Sequence, residues 1–207
     1  VDGDASVRLI THKKSTLRHA SGLIDVLGYL DEEEPVADPF AAISELPDDH
    51  PYSIAGEAAI RDGLARFDAA VGDSYQGSHT DSNALLPTFG GAVKPTARYP
   101  TAAAAGLASD SRDMLIVGFA ELTEYNAGML ADHLDAADVP FDVDGVELNF
   151  PGEYANDSRV TRFAKRLDIN EDVDHDGQTM GARQALADAV DPHIGDAERV
   201  GFPAFLG

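Results

Sequence analysis

An α/β fold is predicted by three features of the sequence. The run "DMLIVGF" (residues 113–119) is apolar almost throughout, the pattern of a parallel strand buried on both faces. From Asp113 onward, strand-like and helix-like segments follow in the order β-α-β-α-α-β, a layered α/β unit. The chain also opens on a short apolar segment, "SVRLIT" (6–11), which reads as a buried strand on Val7, Leu9 and Ile10. With 207 residues and 43% hydrophobic content, the chain can bury a core as one large domain or two small ones.

The elements follow in order. "SGLIDVLGYL" (21–30) begins with a turn and continues as a short apolar segment, and "DEEEPVADP" (31–39) is a solvated loop. "PFAAISEL" (39–46) and residues 53–72 read as helices. In the second of these, Ile54, Ala58, Leu64, Phe67 and Val71 recur near a 3.6 period and Gly72 is a stop. "LLPTFGGAVKPTARYP" (85–100) reads as two strands joined by a Phe-Gly-Gly turn. Residues 122–139 form a helix on the spacing of Leu122, Tyr125, Met129, Leu130 and Leu134. Residues 140–150 alternate as a strand, 158–168 and 179–194 are helices, and 198–205 close as a strand. There is no internal repeat.

Charge narrows the function. Asp and Glu number 37 against 15 Lys and Arg, with 26 of the acids Asp and only 4 of the bases Lys. At molar salt the Debye length is about 3 Å, so such a surface repels itself little and stays hydrated. This points to a salt-rich cytoplasm, the acids being spread along the chain instead of massed in a tail. Nucleic-acid binding is excluded for want of a broad basic face. No apolar run is long enough for a membrane helix, and the first residues are not a signal peptide. With no cysteine, disulfides, thiolate metal sites and cysteine nucleophiles are excluded from this chain.

The acids leave two gaps, residues 5–24 and residues 82–109. Both keep cations: Lys13, Lys14 and Arg18 in one, Lys94 and Arg98 in the other. A buried structural segment explains lost acids, but not retained lysines, because a buried cation needs a partner. "THKKSTLRHASG" (11–22), following a strand, fits an anion site at a strand's carboxyl end. The competing reading is a solvated loop whose cations pair with nearby acids. Lys94 and Arg98, four apart on an extended segment, share one face and suit a carboxylate or phosphate clamp, or else a salt-bridged strand edge. "DVDHDG" (172–177) resembles the start of a calcium loop, but Arg183 stands where a bidentate Glu is required, so an acidic turn is the better reading. No histidine pair has zinc-site spacing, His133 is a surface residue of a helix, and no GxSxG or P-loop ending is present. No metal is therefore expected.

Several of these segments resemble one family, the B subunit of anaerobic glycerol-3-phosphate dehydrogenase, a flavoprotein. The stretches are "HASGLIDVLGYL…PVADP", "HPYSIAG", "LLPTFGGAVKPTARYP", "DMLIVGFAELTEYNAGMLADHLDAADV" and "RVTRFAKRLD", in the family's order and across nearly the whole chain. The acidic version looks like a halophilic archaeal member. The resemblance implies that the chain is the middle of a longer polypeptide whose flavin domain begins before Val1 and returns after Gly207. It divides the chain into residues 1–30, part of a flavin-binding Rossmann-like sheet; 31–112, a helical and β-hairpin substrate-side region; and 113–207, the α/β unit. The second strand of a dinucleotide fold ends in an acid that holds the adenosine ribose. Here Thr11-His12 stands there, which fits FMN better than FAD.

By the same resemblance, His12, Lys13, Lys14 and Ser15 lie by the flavin phosphate, and His19, Ser21 and Gly22 approach the ring. Thr88, Lys94 and Thr96 contact the substrate, and His19 and Arg98 are the catalytic candidates. The implied reaction oxidises sn-glycerol 3-phosphate to dihydroxyacetone phosphate, electrons leaving through flavin to a membrane acceptor. The implied partners are the A and C subunits of the dehydrogenase complex, with peripheral membrane association through one of them and a cytoplasmic location. Three alternatives stay open: an electron-relay component without its own substrate site, another flavin or nucleotide oxidoreductase of this fold, and a non-enzymatic α/β interaction domain.

Overall fold

The computed structural model describes residues 6, 8, 10, 21–30, 34–152 and 160–203. Of the expected opening strand only residues 6, 8 and 10 are described, and none of them is in a strand; the candidates His12, Lys13, Lys14, Ser15 and His19 and the chain's last residues lie outside the described residues. The elements are α1 (Pro51–Ala55), α2 (Glu57–Val71), β1 (Tyr75–Gln76), β2 (Ala84–Pro87), β3 (Val93–Thr96), β4 (Tyr99–Pro100), β5 (Met114–Phe119), α3 (Ala127–Ala136), β6 (Val143–Leu148), α4 (Val160–Asp168), β7 (Asp172–His175), β8 (Gln178–Gly181), α5 (Ala182–Val190) and β9 (Arg199–Gly201).

The α/β unit is built on β5. Its six residues are all buried, as the continuous apolar run requires. β5 lies between β6 and β9, and both pair with it in parallel. Around it pack Leu130 and Leu134 of α3, Phe163 of α4 and Leu186 and Val190 of α5, in one core with Phe119, Phe141 and Phe150. Phe150 and Phe163 stack at 4.2 Å, and Phe119 meets Phe150 edge-on at 5.1 Å. The strand β6 carries Gly145 because α3 crosses it closely: a Cβ there would land on the Ala127 carbonyl.

Helix α3 starts five residues later than the periodicity predicts. Asn126 accepts a hydrogen bond from the Met129 amide at 2.7 Å, and the Glu147 carboxylate accepts one from the Ala127 amide at 2.6 Å. Those two acceptors satisfy orphan donors of the first turn and place a negative charge at the positive end of the helix dipole. Leu122 and Tyr125 are buried, but in the turn before the helix, and Met129 falls off the buried stripe at 50% exposure. The expected helix over 179–194 is likewise shorter. Residues 179–181 belong to β8, which pairs with β7 through a two-residue Asp176-Gly177 turn. Both turn residues have positive φ, 52° and 77°, as a type I′ hairpin demands.

The expected helix over 53–72 is two helices. His50 caps α1 by accepting from the Tyr52 amide through Nδ1 at 3.1 Å, and Gly56, at φ +79°, breaks the run before α2. Helical periodicity does not carry across that break, so Ile54 is 73% exposed, outside the expected core stripe. Gly72 ends α2 as predicted. The predicted hairpin forms with Leu86 opposite Lys94 and Pro87 opposite Val93. Its tip rests on the α/β unit, Phe89 against the Tyr125 ring at 4.9 Å and the Gly90 carbonyl 3.0 Å from His133 Nδ1. A second small core, of Val26, Phe40, Ile43, Leu64 and Ala97, joins the 21–30 segment to α2 and the hairpin.

Candidate functional site

The two acid-poor stretches meet in space. Ile24, at the end of one, bridges Arg98, in the other. The Ile24 amide donates to the Arg98 carbonyl at 2.9 Å. The Ile24 carbonyl accepts from the Ala97 and Arg98 amides at 3.1 and 3.0 Å and from the Thr96 hydroxyl at 3.2 Å. One carbonyl with three donors is a firm anchor, so the chain leaving the cationic stretch is pinned to the end of the hairpin. Alongside, Asp25 pairs with Lys94 at 2.6 Å, and Gly28 passes so near Pro95 that a Cβ would lie 2.9 Å from its ring. Asn83 ties the next turn by donating to the Leu27 and Val36 carbonyls at 2.9 and 2.8 Å.

Gly22 is the close-approach point. Its φ is +79°, a conformation that costs a residue with a Cβ roughly 1–2 kcal/mol. A Cβ there would also stand 3.2 Å from Pro100 Cγ and 3.5 Å from the Tyr75 hydroxyl. Pro100 and Tyr75 face one another across the β1–β4 pair, and Tyr75 meets Phe67 of α2 edge-on at 4.9 Å. Ser21 is exposed beside this glycine, its hydroxyl 3.4 Å from the Leu23 amide.

The expected clamp of Lys94 and Arg98 does not form. A bend at Ala97 separates them and each has its own acid. Arg98 is buried, with a side chain 8% exposed. Its Nε and Nη2 donate to the two oxygens of Asp68 at 2.8 and 3.0 Å, and its Nη1 to the Gly77 and Ala97 carbonyls at 3.0 and 2.8 Å. That geometry makes Arg98 a structural link between α2 and the end of the hairpin, with four of its five N–H donors engaged within the chain. Thr96 is fully buried and bonded to the Ile24 and Arg98 carbonyls. Thr88 sits away from this locus in the hairpin turn, where its hydroxyl accepts from the Ala92 amide at 3.2 Å. So Ser21, Gly22, Lys94, Thr96 and Arg98 are brought together, with Ser21, Gly22 and Lys94 reachable from solvent. Sequence reasoning did not find Tyr75. It reaches Gly22 through a two-residue strand pair between distant segments, which leaves no local signal.

Two open clefts lie elsewhere. One of about 450 Å³ stands at the carboxyl end of β6, lined by Asn149, Phe150 and the β7–β8 turn with His175. One of about 560 Å³ lies between the hairpin tip and α3, lined by Tyr29, Gly91, Val93 and His133. Among the described residues there is no group of three or more His, Asp or Glu fit to hold a metal, and no helix long and apolar enough to cross a membrane.

Comparison with known proteins shows the class to which the chain belongs. The sequence profile of the FAD binding domain matches residues 2–207, and the chain belongs to that family. It is 56% identical, over all 207 residues, to the probable B subunit of anaerobic glycerol-3-phosphate dehydrogenase from Halobacterium salinarum, in strain R1 and in strain NRC-1 alike. The chain spans 48% of the length of those relatives. No solved structure matches it with significance. The family indicates a flavin cofactor; it is described by FAD, and the expectation of FMN finds no support there.

At this locus the face of Gly22 that a Cβ would occupy is taken by Pro100 and the Tyr75 hydroxyl, and Asp25, the one acid of the 21–30 segment, is paired with Lys94.

Proposed function

We propose that this chain is part of a flavin-dependent dehydrogenase that oxidises sn-glycerol 3-phosphate to dihydroxyacetone phosphate and passes the electrons to a membrane acceptor. In that reading it is the B component of a complex with the A and C subunits. The observation that carries this reading is the 56% identity across the whole chain to the haloarchaeal relatives, colinear with an FAD binding domain over residues 2–207. FAD takes precedence over FMN, because the family is described by FAD. A bound flavin supplies the hydride acceptor. The chain's own part is to present Ser21 and the bare Gly22 backbone to it, to bring His19 alongside as the acceptor of the C2 hydroxyl proton, and to meet phosphate with His12, Lys13, Lys14 and Ser15. The acid-poor character of both stretches supports an anionic ligand there. The proposed division at residues 30 and 112 keeps these roles, with residues 113–207 as the supporting α/β unit. Cytoplasmic location and peripheral membrane contact through a partner protein complete the proposal.

An electron-relay role is the second reading, and one observation favours it. Both cations of the described locus already hold carboxylates, Lys94 on Asp25 and Arg98 on Asp68, which leaves no free cation among the described residues there for a substrate phosphate. Rapid mixing of the full-length protein with sn-glycerol 3-phosphate, alone and with its partners, separates the two. Flavin bleaching in the lone protein supports substrate oxidation here; bleaching only in the complex supports the relay.

A further inference from the structure

We infer that the open groove between the hairpin tip and α3 is the seat of an apolar segment of the polypeptide that the full-length protein carries outside these 207 residues. The inference is independent of the flavin reading. Three parts of the chain wall the groove, which measures about 560 Å³: Tyr29, then Ala92 and Val93 of the hairpin, then His133, Ala136 and Ala137 at the end of α3. Met129 stands one turn before His133 on the same face of that helix, and Phe89 begins the tip against the Tyr125 ring. Phe89 is 51% exposed, Met129 50% and Tyr29 42%. The groove is set in advance. His133 Nδ1 donates to the Gly90 carbonyl at 3.0 Å, since a carbonyl only accepts, and Gly91, at φ +85°, sits where a Cβ would overlap the His133 side chain.

Charge and exposure mark this face as a covered one. The chain carries 37 acids in 207 residues, which keep its surface hydrated, yet no acid lines the groove, and the hairpin lies within the acid-free residues 82–109. Large apolar side chains left half exposed along one groove are the pattern of a contact surface. The length of the relatives points to the occupant. These 207 residues span 48% of that length, so more than half of such a polypeptide lies outside them and needs apolar surface to pack on. A shallow groove floored by Gly90, Gly91 and the alanines admits the apolar stripe of a helix or strand laid across it.

The test is thiol labelling of the full-length protein, purified alone in molar KCl. Met129→Cys and Tyr29→Cys report on two sides of the groove, and Asp62→Cys, on the exposed surface of α2, is the reference. These 207 residues hold no cysteine, and peptide mapping by mass assigns each label to its site. Both groove thiols are expected to react at least about tenfold more slowly than the reference, as groups do that react only on local opening. The protection is expected to be independent of protein concentration and to vanish on unfolding. Hydroxyl-radical footprinting of Met129 in the wild type gives the same reading with no substitution. Groove thiols as reactive as the reference overturn the inference. Protection that fades on dilution also overturns it and assigns the face to a second copy. Protection that arises only when a partner subunit is added overturns it in favour of that partner.

Discussion

Arg98 and Asp68 form a two-pronged ion pair at 2.8 and 3.0 Å, with the arginine side chain only 8% exposed. The pair fastens α2 to the end of the hairpin, and the same arginine's carbonyl receives the Ile24 amide. Removing one partner strands a buried charge. Asp68→Ala is expected to cost about 2–4 kcal/mol, somewhat below the figure for a fully buried pair because Asp68 keeps contact with water. Denaturant titration checks the loss. Because Arg98 acts through structure, kcat per folded molecule should stay at the wild-type value; a kcat fall without a stability loss would return Arg98 to the chemistry.

Arg199 is the corresponding pin of the α/β unit. It stands over the Phe141 ring at 4.4 Å and donates to the carbonyls of Arg112, Ala105, Leu107 and Asp110. Burial pulls its pKa down, and Asp110 opposes that. A lysine has three donors on a flexible stem and cannot serve four carbonyls arranged around a planar fork. Arg199→Lys should lose about 2–3 kcal/mol by thermal or denaturant unfolding at neutral pH.

The glycines of the parallel pair differ in what faces them. A Cβ at Gly118 would meet the flexible Glu147 carboxylate, while one at Gly145 would meet the Ala127 backbone at the start of α3. A side chain yields more cheaply than helix backbone, although moving Glu147 gives up its bond to the Ala127 amide. Gly145→Ala should cost about 3 kcal/mol and Gly118→Ala about 2 kcal/mol, within the usual overpacking range. Paired unfolding curves test the order; equal losses would contradict the close crossing of α3 over β6.

Asp110 gives a pH signature. The Arg112 side chain, and then its backbone amide, hold the Asp110 carboxyl well below the usual carboxylate range. A folded-state pKa below the unfolded one means that the unfolded chain binds more protons as the medium turns acid. The contribution is thus fully present above the unfolded value near about 3.9 and is lost as pH falls through it toward the folded value. The stability difference between wild type and Asp110→Asn should be flat above about pH 5 and shrink below about pH 4. A difference that grows on acidification would reverse the sign and refute the pairing.

The sequence showed the elements whose causes are local. The apolar run at Met114–Phe119 announced a buried strand, and Phe89-Gly90-Gly91 announced the hairpin turn. What it hid was set by distant partners. Ala127 begins a helix because Glu147, twenty residues on, accepts its amide. The acidic turn read at "DVDHDG" is there, but the strand pair it joins was hidden, because residues 179–181 continue without a break into the periodicity of the following helix. The acid gaps hold residues that the structure joins, Ile24 of one and Arg98 of the other. They could not show that Arg98 turns inward to Asp68, since an unpaired and a paired arginine read alike in one dimension.

The central claim, that this chain helps to hold a flavin, is tested most directly by purifying the full-length protein in molar KCl and recording its visible spectrum before and after heat release of the cofactor. The account predicts bound flavin bands, identification of the released cofactor as FAD by mass, and loss of those bands in a Gly22→Val variant that still folds. A folded wild-type protein with no visible absorbance, and none gained on incubation with FAD or FMN, would contradict it.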